Sequence, residues 1–203
     1  MTVRLLPCGR RAVLVETGDV LGFQAALTRE PPDGVVELVP AARTLLVRFD
    51  PAMTDADRLG ALLRHVSPVD SATAEAGEVV LPVVYDGEDL AEVAEETGMS
   101  VDALIARHTA GEYVSAFCGF APGFAYLSGS DPVLHVPRRS TPRTRIPAGS
   151  VAIAGEYSAV YPSASPGGWR LLGRTDVPVW DVERDPPNLL PPGTRVRFSA
   201  VAR

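Results

Sequence analysis

The sequence predicts an α+β protein in two parts. Residues 1–77 read as a small α/β sandwich of ferredoxin-like order, and residues 78–203 as a domain of short strands forming a sandwich or barrel. Three observations predict this. Strand-like and helix-like apolar periods alternate through the first third. A small, polar stretch, VDSATAEAG at 69–77, then interrupts them as a linker would. From Tyr113 onward proline and glycine recur every few residues, with β-rich runs between them.

The elements follow in order. Residues 11–16, RAVLVE, form an apolar strand. Residues 21–29 suit a short helix, closed by the turn signal Pro31-Pro32-Asp33-Gly34. Val35 to Val39 is β-branched and apolar, and after Pro40-Ala41-Ala42 the alternating run 43–49 returns as its hairpin partner. Thr54 is the expected N-cap of a helix with acids in its first turn and Leu59, Leu62, Leu63 and Val66 on one face. Residues 78–85, EVVLPVVY, form a further strand, which either closes the first sheet or opens the second domain. A helical pair occupies 89–108: the first helix is acidic and ends at Gly98, the second is capped by Ser100. The acids of the first helix repel phosphate, so the pair is expected to pack on the sheet rather than to read nucleic acid. Beyond it lie strand candidates at 114–117, 150–154, 169–172 and 195–198, and no helix.

Composition excludes several functions. All 19 basic residues are arginine, which rules out a Schiff-base lysine, a phosphate-loop lysine and a biotinylated lysine on this chain. Abundant Ala, Arg, Gly and Pro match GC-rich coding, and the chemical exclusions hold whatever the cause. A net charge of -6 argues against a nucleic-acid partner, which needs a basic footprint. No apolar run reaches the roughly 20 residues that cross a bilayer, and the first residues lack a signal-peptide core. The expectation is a soluble cytoplasmic chain with no membrane partner, its Cys8 and Cys118 reduced. No metal-ligand spacing occurs among His, Cys, Asp and Glu.

Three stretches look functional. In 137–150, PRRSTPRTRIPAGS, Arg138, Arg139, Arg143 and Arg145 fall within eight residues. No acid occurs from Pro132 through Gly155. Arginine holds phosphate or carboxylate bidentately and never loses its proton, and the prolines stiffen the loop. Either this is an anion site, or the arginines pair with the chain's own acids. In 161–169, YPSASPGGW, Pro166-Gly167-Gly168 brings bare backbone close to its surroundings between Tyr161 and Trp169. That makes a ligand wall or a plain hairpin turn. The uncharged stretch 119–129, GFAPGFAYLSG, carries Gly119, Pro122 and Gly123 for shape and Phe120, Phe124 and Tyr126 for bulk. It is a core turn or one wall of a shared site. Acid–base groups are scarce. His108 ends a helix, where it caps the dipole, and Tyr113 follows it.

Together GFAPGFAYLSG, PRRSTPRTRIPAGSVAIAG, YPSASPGGWRLLGRT and LLPPGTRVRF resemble the B-subunit family of 5-oxoprolinase. That family is also described as the KipI kinase-inhibitor type and as allophanate hydrolase subunit 1. HTAGEYVSAFCGF, RAVLVE and RFDPAMTDADRL fit the same pattern. The resemblance implies a cyclophilin-like β-barrel for residues 78–203 and a hydrolase subunit inactive alone. It implies a carboxyltransferase-like module with a C subunit (the KipA-type homologue), and an A subunit that completes the opening of 5-oxoproline to L-glutamate. ATP with Mg would be shared with those partners, and any biotin would come from elsewhere. On this resemblance the four arginines and the two walls would face substrate and phosphates, with His108 or Tyr113 giving polar positioning. A sensor histidine kinase is the alternative partner, and allophanate or urea metabolism a further one.

Overall fold

The computed structural model describes residues 3–69 and 78–202, and its contacts divide the chain into two compact units, Met1–Ala76 and Gly77–Arg203. The polar stretch read as a linker lies, from residue 70 on, outside the described residues.

The first unit runs β1 (Arg4–Pro7), β2 (Ala12–Glu16), α1 (Val20–Arg29), β3 (Val35–Pro40), β4 (Thr44–Phe49) and α2 (Ala56–Leu63). Its antiparallel sheet has the order β1-β2-β4-β3. Alternation along the strands builds its core. Leu45, Val47 and Phe49 on β4 and Val13 and Val15 on β2 face inward, against Phe23 and Leu27 of α1 and Leu59 and Leu63 of α2. The β-α-β-β-α order is the expected one, but the strand beside β2 is β1, which the sequence reading missed. That edge is filled from the chain's start rather than by the strand after α2. The cap of α2 also differs from expectation. Asp55, not Thr54, receives the N–H groups of Asp57 and Arg58 at 3.0 and 2.9 Å. Thr54 is buried, and a carboxylate serves the positive helix end better than a hydroxyl.

The second unit is a seven-stranded sheet of order β12-β9-β10-β7-β6-β13-β5. Here β5 is Glu78–Val83, β6 Tyr113–Cys118, β7 Ala125–Ser128, β9 Ser150–Ala154, β10 Tyr157–Val160, β12 Arg170–Arg174 and β13 Arg195–Ala200. Two reciprocal backbone hydrogen bonds of 2.9 Å between Val84 and Arg174 bring the outer strands together, leaving a nearly closed barrel. The strand whose ownership the sequence left open, β5, pairs in parallel with β13. Its Leu81 and Val83 enter the barrel core beside Leu127, Val151, Val196 and Phe198. The acidic helix α3 (Leu90–Glu96) and α4 (Val101–Ala110) pack on this sheet through Val93 and Leu104 against Ile153 and Leu172. Ser100 caps α4 by accepting from the Ala103 N–H at 3.2 Å.

Two further strands pair only with each other: β8 (Arg143–Ile146), inside the arginine-rich stretch, and β11 (Ser165–Gly167), inside the proline-glycine stretch. With β7 and β10 they escaped the sequence reading because runs of three or four residues between turns carry too little alternation. One 3-10 turn, Pro132–Leu134, follows β7. Among the described residues no helix is long and apolar enough to cross a membrane.

Candidate functional site

The three stretches singled out in the sequence converge. Between β6 and β7 the apolar stretch closes on itself, with the Gly119 N–H donating to the Phe124 carbonyl (3.1 Å) and the Phe124 N–H to that of Ala121 (3.0 Å). This turn points Phe124 inward, edge-on to Tyr161 at 5.3 Å and Trp169 at 5.5 Å between centroids, while Tyr126 contacts both Phe124 and Trp169. At Gly123, φ is +78° and a Cβ would stand 2.5 Å from Trp180 Cβ, so only glycine fits. Gly167 is closed to larger residues for another reason: a Cβ there would strike the Tyr161 hydroxyl and approach Ile146 Cδ1 to 2.8 Å.

The proline-glycine turn meets the arginine stretch directly. Gly167 lies opposite Arg143 across the β8–β11 pair, and the Arg139 N–H donates to the Gly168 carbonyl at 2.8 Å. The Arg138 guanidinium sits 5.9 Å from the Trp169 ring centroid, a cation–π contact. Beneath them Phe124, Ile146, Tyr161, Trp169 and Leu171 form one buried cluster. The exposed Pro122 and Pro166 lie at its rim in sequence, one in each turn.

Phe120 departs from this inward trend. It is 62% exposed and is the one described non-glycine residue with positive φ, at +70°. A left-handed aromatic residue costs of order 1 kcal/mol and marks a place where something other than stability selects the side chain. Phe120→Gly is therefore expected to leave the unfolding free energy unchanged or to raise it by up to about 1 kcal/mol, relief of backbone strain offsetting the lost edge-on contact with Phe124 at 5.2 Å. Chemical denaturation reads this directly, and a loss of stability would show that the ring is a structural anchor.

Within the arginine stretch the four cations separate into two pairs. Arg143 grips the Asp89 carboxylate through Nη1 and Nη2, both at 2.8 Å, and Arg139 Nη1 reaches it at 2.6 Å. The Leu171 N–H adds a fourth donor at 2.8 Å. The Asp89 side chain is only 1% exposed. Burial pushes its carboxyl up, but the Arg143 hydrogen bonds, the Leu171 N–H and the two guanidinium charges outweigh it and hold the group below the usual carboxylate value. Arg138 and Arg145 are exposed and pair with no carboxylate among the described residues. The pairing with the chain's own acids thus holds for Arg139 and Arg143, while Arg138 and Arg145 have no such partner among the described residues.

The sequence reading missed two members of this arrangement. Asp89 looked like one more acid of an acidic helix start, and Arg170 like part of a strand. Arg170 is almost buried and bonds Glu92 at 2.6 Å, Glu96 at 3.1 Å and the Pro137 carbonyl at 3.3 Å. The available signal was complementarity: acids at 88, 89, 92 and 96 at helical spacing, against an arginine-rich stretch with no acid.

His108 and Tyr113 are not at this surface. Both are buried, His108 fully. His108 Nδ1 lies 2.7 Å from the Tyr85 hydroxyl and Nε2 2.8 Å from Ser158 Oγ, and its ring stacks on Phe198 at 4.5 Å. The Tyr113 hydroxyl donates to the His108 carbonyl at 3.0 Å. Burial lowers the His108 pKa to about 3, so the ring is neutral at physiological pH. The polar positioning expected of this pair is directed at the barrel interior, because helix α4 delivers His108 inward, against β13 and β10. Cys118 is half-buried beside Asn188 and the Leu190 carbonyl, and burial pushes its thiol pKa up, away from nucleophilic use. Among the described residues no group of three or more His, Cys, Asp or Glu is placed to hold a metal ion.

Comparison with known proteins places these features. The carboxyltransferase domain, subdomain C and D, family matches residues 3–190. The 5-oxoprolinase B subunit of Escherichia coli O157:H7 is 42% identical over 168 residues, covering 81% of this chain and 77% of that protein. That of Bacillus subtilis (strain 168) is 34% identical, covering 100% of this chain and 95% of that protein. Among solved structures, TTHA0988 superposes with a TM-score of 0.81 at 39% identity over 96% of this chain. This chain spans only 40% of the TTHA0988 chain. The Kluyveromyces lactis urea amidolyase, at 21% identity and a TM-score of 0.72, shares the fold, and there the match is 15% of the longer chain.

Proposed function

Because the chain belongs to the carboxyltransferase domain, subdomain C and D, family and to the B-subunit family of 5-oxoprolinase, we propose that it serves an ATP-dependent 5-oxoprolinase in that role and works only in a complex. The supporting observation is the surface on which Arg138, over Trp169, and Arg145 stand without carboxylate partners among the described residues. Its cofactor is ATP with Mg, shared with a C subunit, and an A subunit completes the reaction. The match to 40% of the TTHA0988 chain, beside 95% of the Bacillus subtilis B subunit, supports a unit that is separate in some relatives and part of a longer chain in others.

The chemistry asks for charge more than for a base. A lactam carbonyl is a poor electrophile because the nitrogen lone pair is delocalised into it. Transfer of the ATP terminal phosphoryl group to the carbonyl oxygen of 5-oxoproline releases ADP and turns that oxygen into a leaving group. Water then adds at the carbon, the carbon–nitrogen bond of the tetrahedral species breaks as the nitrogen takes a proton, and a second water hydrolyses the resulting acyl phosphate to L-glutamate and inorganic phosphate. Guanidinium groups stabilise the phosphoryl oxygens and hold the substrate carboxylate. They fit phosphate in donor number and planarity, and they keep their charge throughout. With His108 enclosed, any proton transfer falls to partner subunits or to water.

The test is co-expression with the C and A subunits and measurement of 5-oxoproline-dependent ADP release. Turnover only in the full complex is expected, and stimulation by urea or another lactam instead overturns the substrate assignment. Arg138→Ala is expected to raise the KM for ATP or 5-oxoproline about 10- to 100-fold, the equivalent of one charge-assisted hydrogen bond. An unchanged KM removes Arg138 from the site.

Phe120 supports a second reading. An exposed ring held at positive φ suits docking on a partner, here the helical dimerisation domain of a sensor histidine kinase in the manner implied by the KipI label. Phe120→Gly separates the two: loss of kinase inhibition with oxoprolinase turnover intact supports the docking role, and no change in inhibition refutes it.

A further inference from the structure

Asp89 occupies the N-cap position of α3, where an aspartate ordinarily accepts hydrogen bonds from its own helix, yet its side chain makes none there. Its oxygens instead collect three donor groups from two separate parts of the chain: Arg139 and Arg143 of the arginine stretch, and the Leu171 N–H of β12. An unpaired carboxylate does not stay ionised at such depth, so these donors and the carboxylate hold one another. The flanking acids are weaker partners. Glu88 and Glu92 reach Arg143 and Arg139 at 3.1 and 3.7 Å, and their side chains are 73% and 55% exposed.

The consequence lies in the residues between the two anchors and beside them. The segment from Arg139 to Arg143 is tied at both ends to one carboxylate. Arg139 is tied a second time through its N–H to Gly168. Arg138, next in sequence to the first anchor, turns the other way and lies across the Trp169 ring. Were Asp89 neutral, two buried-side guanidinium groups would lose their shared counter-charge, and the segment its common anchor.

We infer that Asp89 is a positioning residue: it withdraws Arg139 and Arg143 from ligand binding and fixes the segment between them, so that Arg138 is the cation presented over Trp169 to a phosphate or carboxylate group of the substrate. The identity of that anion rests on the function proposed above; the positioning role does not.

The test uses the full chain with Trp180→Phe, which leaves Trp169 as the single tryptophan of two. In this background, Asp89→Asn keeps the side-chain shape and removes the charge. It is expected to change Trp169 emission and quenching, with far-UV dichroism retained, and to weaken binding of inorganic phosphate and ATP about tenfold. Asp89→Glu restores part of both. In the assembled complex, Asp89→Asn raises KM about tenfold and leaves kcat within about threefold, whereas a purely structural role lowers the amount of active complex without moving KM. A folded Asp89→Asn chain with native Trp169 emission and phosphate affinity overturns the inference. Should Asp89→Asn fail to fold, Arg143→Lys, which keeps charge but cannot span both oxygens, is expected to shift Trp169 in the same direction. Its silence is equally decisive. A Trp169 response without any change in turnover leaves the positioning role standing and refutes the placement of substrate at Arg138.

Discussion

Acidification from pH 7 to pH 4 is expected to remove about 3 kcal/mol of stability from the barrel unit through His108 alone, at about 1.4 kcal/mol per pH unit below the unfolded pKa. The folded ring has its pKa lowered from 6.5 to about 3 because it is fully buried. The unfolded chain therefore binds a proton as the pH falls through 6.5, and the folded chain does not. Stability is complete above about 6.5 and declines steadily until the folded ring titrates near 3. Tyr85 and Ser158 occupy both ring nitrogens, and Phe198 covers one face, so no water replaces these partners without opening the barrel. The carboxylate effect lies lower on the pH scale. Asp89, held below its ordinary value, contributes stability that is present above its unfolded pKa near 3.8 and is lost only as the pH falls further. Chemical denaturation at stepwise pH reads the first window. His108→Gln is expected to be less stable at pH 7 and to lose the slope between pH 6.5 and 4. A wild-type stability that stays flat across that interval would place the histidine in contact with solvent.

Phe124→Ala is expected to destabilise the barrel unit by about 4 kcal/mol, the usual range for a fully enclosed phenylalanine with edge-on aromatic contacts. The ring is 2% exposed and touches Tyr126, Tyr161 and Trp169, which come from two different stretches. Removing it leaves a cavity under the Trp169 ring on which Arg138 lies, so stability and anion binding are expected to fall together. Phe124→Leu preserves most of the volume and should cost about 1 kcal/mol. A loss below that level for the alanine variant, measured by urea unfolding, would mean that the cluster collapses around the gap and that Trp169 does not depend on it. The contrast with Phe120, four residues earlier in the same turn, is sharp: one phenylalanine holds the site together and the other is offered outward.

Much of the fold was legible because it is written in local period. The alternation on β4, the turn at residues 31–34, the Ser100 cap and the stop at Gly98 each depend on residues a few places apart. Even the convergence of the functional stretches had a trace in the sequence, as runs of Gly, Pro and aromatic residues that fit neither a plain strand nor a solvated loop. What was misjudged lay where a choice between equals is made by distant chain. Asp55 and Thr54 are both good caps, and packing buried one of them. Residues 78–85 were not misjudged in kind: read as a strand and placed at the start of the second part, they supply β5, which pairs there with β13.

By itself the sequence determined the longer elements of the first part from β2 to α2, a strand-rich second part, the absence of lysine chemistry, and an acid-free stretch of arginines. These follow from composition and short-range pattern. The tertiary structure alone decided that β1 completes the first sheet while β5 joins β13, that His108 belongs to the barrel interior, and that Arg139 and Arg143 are held by Asp89 while Arg138 lies exposed over Trp169. The reason is separation along the chain. His108 meets Ser158 at 50 residues' distance, Arg143 meets Asp89 at 54, and Leu171 meets it at 82. No local period encodes such pairs; they exist only once the barrel has brought α3, β8 and β12 to one carboxylate.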